Sequence, residues 1–69
     1  METVQKNYRV DRREISFLRF IFEGYDGIAL VSTLDREAGI VAIRTAPGCE
    51  GEVERVMEVL AAEILIEPL

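Results

Sequence analysis

Two hydrophobic periods alternate along this chain and divide it into strands and helices. In "NYRVD", Asn7 to Asp11, Tyr8 and Val10 alternate with Arg9 and Asp11, the pattern of a strand with one buried face. Residues 1–6 carry no such pattern and are expected to form a loose tail. Asp11 precedes Glu14 by three positions, the spacing of a capping box, so a helix is expected from Arg12. In it Ile15, Leu18 and Phe22 recur with Ile21 and Tyr25 beside them, while Ser16, Arg19, Glu23 and Asp26 form the polar stripe. Gly24 or Gly27 is available as a left-handed C-cap. Phe17 and Phe20 fall off the main stripe, and either wrap the edge of the core or touch another chain.

The stretch "GIALVSTLDREAGIVAIRT", Gly27 to Thr45, reads as two strands joined by a loop at Leu34 to Gly39, with Gly39 able to take a positive φ. It is unusual in being apolar on both faces, since a half-buried strand should alternate. "TAPG" ends the second of these strands. From Glu50 the chain is helical again: Val53, Val56, Met57, Leu60 and Ile64 make one stripe, and Glu50, Glu52 and Glu54 complement the positive end of the helix dipole. "LIEPL" closes the chain as a short strand, which Pro68 confines to a sheet edge.

The order βαββαβ predicts an α+β, ferredoxin-like fold spanning 1–69 as one domain. Its four-stranded antiparallel sheet has spatial order 4-1-3-2 and carries both helices on one face. If Val10, Val41, Ile43 and Ile66 point at the helices, alternation sends Arg9, Asp11, Ile40, Ala42, Arg44, Leu65, Glu67 and Leu69 to the open side. Such a face is too apolar for plain solvent surface and too charged for a core, which predicts a homodimer. Two routes stay open: packing of open faces, or pairing along the second strand, whose "GIALVST" has no Lys or Pro to blunt its edge. The expected interface residues are Phe17, Phe20, Ile28, Leu30, Val31, Ile40, Ala42, Leu65 and Leu69.

Composition strengthens the case for self-association. A chain of 69 residues with 49% hydrophobic and 30% charged residues is a folded one, but so small a domain usually needs a disulfide, a metal or a second copy to be stable. Cys49 has no partner in the chain and there is no His, so oligomerisation remains. No apolar run approaches the ~18 residues of a membrane span and no secretory leader pattern opens the chain, so a cytoplasmic protein with a reduced thiol is expected. The net charge of −5 argues against duplex nucleic acid. RNA reading by sheet aromatics is not expected either, because only Tyr8 lies on a central strand and it faces inward.

Candidate chemistry is sparse. Cys49 stands where the second helix begins, but without a His base a nucleophilic role lacks support. Asp26, Asp35 and Glu37 flank the hairpin and are better read as solvated loop residues than as cation ligands. No catalytic residues, metal site or cofactor are expected. Arg9 and Arg44, on neighbouring central strands and both on the open face, can together hold a carboxylate or phosphate; alternatively they pair with Asp11 and Glu67.

Two resemblances add to this reading. From "YRVDRREISFLRFIFEGYDGIALVSTLD" to "LIEPL" the chain resembles a family of short bacterial proteins known as a domain of unknown function. "YRVDRREI" followed by "GIALVST" is also similar in layout to ACT domains, βαββαβ modules that often bind amino acids at dimer interfaces and regulate enzymes. Asp11 and Arg12 match the start of the Asp-Arg-Pro-Gly of that family, while Arg13 and Glu14 replace its Pro and Gly. The resemblance implies a homodimeric ligand-binding or regulatory module with a small anionic or amino-acid-like ligand near Arg9, Asp11, Arg12, Glu14 and Arg44. The alternative is a protein-interaction module whose open face or strand-two edge binds a larger partner through Phe17, Phe20 and the hairpin.

Overall fold

The computed structural model describes residues 4–24 and 27–69. Strand β1 (Val4–Val10) is followed by a 3-10 turn (Arg12–Glu14), helix α1 (Ile15–Glu23), strands β2 (Ala29–Asp35) and β3 (Ile40–Thr45), helix α2 (Glu50–Ala61) and strand β4 (Ile66–Pro68). The sheet order is β2-β3-β1-β4, with every neighbouring pair antiparallel. This is the expected 4-1-3-2 order read from the other edge. β1 and β2 both oppose β3, so they are parallel to each other and α1 is the crossover between them.

Alternation along the strands builds one core. Val10, Ala29, Val41 and Ile43, with Ile28 just before β2, meet Ile15, Leu18 and Phe22 of α1 and Val53, Met57 and Leu60 of α2. Both helices therefore cover the same face of the sheet. Tyr8, Ile21, Val31, Val56, Ile64, Ile66 and Cys49 pack around the rim.

The doubly apolar hairpin now has a physical account. β3 is central, so Val41 and Ile43 lie under the helices, while Ala42 on the opposite face is only 1% exposed with no helix above it. It stands between Asn7 on β1 and Ser32 on β2, and flanking strands are enough to hide a methyl group. β2 behaves differently. Val31 turns inward, whereas Leu30 is 69% exposed on the open face and Leu34 bulges out where the register shifts between Thr33 and Asp35.

Several local expectations are corrected. The first strand begins at Val4, opposite Thr45, so Val4 to Lys6 belong to the sheet and not to a tail; β3 offers a backbone ladder along its whole length. The remaining tail positions, and Tyr25 and Asp26 of the expected helix stripes, lie outside the described residues. Leu34 and Asp35 extend β2 and shorten the expected loop.

The capping box does not form. Glu14 N donates to the main-chain carbonyl of Asp11 at 2.8 Å, which tightens the first turn into a 3-10 turn, and the Asp11 carboxylate takes the Arg13 amide instead. The α-helix proper then starts at Ile15 and not at Arg12. Gly24 stays right-handed at φ −73°, and Gly27, at φ 84°, is the left-handed residue of the two. Phe20 does not wrap the core: it is 70% exposed on the outer side of α1, with Phe17 also exposed.

Candidate functional site

The chain end of β1 and the β2–β3 turn meet at one end of the sheet, and there the polar chemistry collects. Asp11 leaves β1 with extended backbone geometry and accepts the Arg13 amide at 3.0 Å. The guanidinium of Arg13 reaches back, Nε to Oδ1 at 3.2 Å and Nη2 to Oδ2 at 2.9 Å. These side-chain bonds, and then the amide, hold the Asp11 carboxyl down at about 2, and the same contact raises the Arg13 guanidinium. On the other side of this end, Asp35 Oδ1 accepts the Ala38 amide at 3.0 Å and shapes the turn. Arg12, Arg13, Arg36 and Glu37 line a surface depression between the two segments.

The expected pair Arg9 and Arg44 does not converge. Arg9 lies opposite Ile40 and Arg44 opposite Gln5, positions at the two ends of the β1–β3 ladder, roughly 13 Å apart at the rise of a strand. Arg9 instead donates from Nε to Glu67 on β4 at 2.9 Å, as one of the expected alternatives had it. Arg44 donates from Nε to the amide oxygen of Gln5 at 3.2 Å, and Gln5 passes a further bond to Asn7. Of the five expected ligand residues, Asp11 and Arg12 share the turn end with Glu14, Arg9 is one strand position pair away and bound to Glu67, and Arg44 is remote.

The expected interface residues separate as well. Ile28 and Ala42 are buried within the chain and present no surface, and Val31 is half-buried under α1. Leu30, Leu65 and Leu69 are exposed and Ile40 is half-buried on or beside the open face. On the helix side, Ile21, Val56, Val59 and Leu60 line an apolar groove rimmed by Glu52 and Arg55.

Cys49 occupies the N-cap position of α2, where it is half-buried and makes no side-chain cap bond. Among the described residues, no three His, Cys, Asp or Glu side chains come together as a cation site, and no helix is long and apolar enough to cross a membrane.

Arg13 and Arg36 were not among the expected site residues. A signal for Arg36 existed in the flexible Gly39 at the end of its turn, but only the packing of that turn on β1 shows what it does.

No curated protein and no solved structure matches the chain. The sequence profile of the family described as Domain of unknown function (DUF4911) matches residues 8–64, a span running from β1 through both helices and the hairpin. With most of its length matched, the chain belongs to that family.

Proposed function

We propose that this protein is a cytoplasmic, non-catalytic module of ACT-like layout that works as a homodimer, binding a small ligand and regulating an associated protein. The observation that carries the reading is the inequality of the two sheet edges. β4 is three residues long and carries Pro68, which blunts it; β2 presents seven residues, Ala29–Asp35, without lysine or proline. Antiparallel pairing of two copies about Ser32 brings the exposed Leu30 of each toward Leu34 of the other on the open face. That arrangement continues one sheet across both copies and covers apolar surface that the monomer leaves wet.

Sedimentation velocity across low to high micromolar concentration tests the dimer. A dimer that Leu30→Glu converts to monomer supports it, and a wild-type monomer at high micromolar concentration overturns it. A thermal-shift panel of amino acids and nucleotides tests the ligand half, since a ligand raises the melting temperature by binding the folded state alone. A second reading, a module that docks a larger protein, draws on the exposed Phe20 and the neighbouring α1–α2 groove; a flat panel with an intact dimer favours it.

A further inference from the structure

The chain is acidic, with a net charge of −5, yet three arginines from two distant segments line one depression at the turn end of the sheet. Their juxtaposition is built into the backbone. The carbonyl of Gly39 accepts the Val10 amide at 2.8 Å, which fastens the β2–β3 turn to the end of β1 and sets Arg36 beside the 3-10 turn that carries Arg12 and Arg13.

The three cations are not equivalent. Arg13 is committed to Asp11 through two guanidinium N–H groups. Arg12 and Arg36 make no ion pair or side-chain hydrogen bond to any described residue, whereas Arg9, Arg13 and Arg44 each hold an acceptor. Two guanidinium groups around one recess repel each other unless an anion lies between them. Their planar donor sets match the oxygens of a carboxylate or a phosphate. Glu37, the remaining lining residue, is the one carboxylate of the recess, and it opposes ligands of high negative charge.

We propose that Arg12 and Arg36 form an oxyanion-binding site, with Arg13, held in place by Asp11, as its third wall. The ligand is a small molecule bearing a carboxylate or phosphate group. This names the ligand class of the regulatory module proposed above and rests on that reading for its biological use alone, because every residue of the site belongs to one copy.

The test is a thermal-shift and calorimetric titration of the full chain with inorganic phosphate and, separately, malonate, in chloride buffer of matched ionic strength. Saturable stabilisation by either anion is expected, and which of the two binds tighter tells whether the natural ligand carries phosphate or carboxylate. Arg12→Ala and Arg36→Ala should each weaken that binding about tenfold or more, the loss of one charge-assisted contact, while Arg55→Ala on α2 leaves it unchanged. Stabilisation no greater than chloride gives, or stabilisation equal in all variants, overturns the site. Sedimentation on the same samples keeps the two proposals apart. A monomer with arginine-dependent binding overturns the dimer and keeps the site, and a dimer without binding does the reverse.

Discussion

The carbonyl oxygen of Gly39 accepts the amide of Val10, and the approach is so close that a Cβ at position 39 would collide with the Val10 carbonyl oxygen. Gly39 also has φ 75°, so an L side chain there meets both backbone strain and backbone atoms that cannot move aside. Gly39→Ala is expected to lose about 3 kcal/mol of stability, combining left-handed strain with displacement of the turn. Gly48 offers the contrast: its φ is 87° but a methyl group there would meet nothing within 4 Å, so Gly48→Ala should lose only about 1 kcal/mol. Urea denaturation of both variants checks this, and equal losses would show that the turn is not fastened to β1.

Asp11 makes part of the stability depend on acidity. Its carboxyl is lowered from 3.8 to about 2, first by the Arg13 side chain and then by the Arg13 amide. A carboxylate with a folded-state pKa below its unfolded value contributes fully above the unfolded value, and that contribution is lost as pH falls from about 4 towards 2. Asp11→Asn should therefore flatten the stability profile in that window while changing its shape little at neutral pH. Denaturation midpoints from pH 2 to 5 decide it, and a profile identical to wild type would assign the acid sensitivity to other carboxylates.

The two sides of α1 should respond very unequally to truncation. Leu18 is fully buried between the helices and the sheet, so Leu18→Ala is expected to lose about 3 kcal/mol through lost transfer energy and the cavity left behind. For a domain of this size that is a large share of its stability. Phe20→Ala should change stability by less than about 0.5 kcal/mol, since the ring is mostly solvated in the single chain. A large loss at Phe20 that grows with protein concentration would place this ring in an intermolecular contact.

Arg9 and Glu67 join the central strand β1 to the edge strand β4 across an exposed face. With both side chains about half exposed, a double-mutant cycle with Arg9→Ala and Glu67→Ala should give a coupling of about 0.5 kcal/mol that shrinks in high salt. Coupling that persists in molar salt would indicate that the pair is shielded from solvent by something seated on the open face.

Much of the architecture was legible in the residue pattern. Tyr8 and Val10, the stripe of Ile15, Leu18 and Phe22, and the stripe of Val53, Met57 and Leu60 each mark an element and its buried face, because burial imposes the period of the backbone on the choice of side chain. The element order βαββαβ matched the split-βαβ pattern, whose 4-1-3-2 sheet order is the β2-β3-β1-β4 order found. Helix boundaries were less legible. Whether Asp11 caps through its side chain to Glu14 or to Arg13 depends on a turn geometry and a competing guanidinium that spacing alone does not encode.

The candidate site was decided only by tertiary structure. Arg9 and Arg44 share a sheet face, which alternation predicts, but the β1–β3 register separates them along the strands, and register is a property of the pairing and not of either strand. Arg12 and Arg36 are distant in the chain and share no periodicity. They meet because one glycine lets the hairpin turn close on the end of β1, a contact between backbones that leaves no trace in the pattern of hydrophobic and polar side chains.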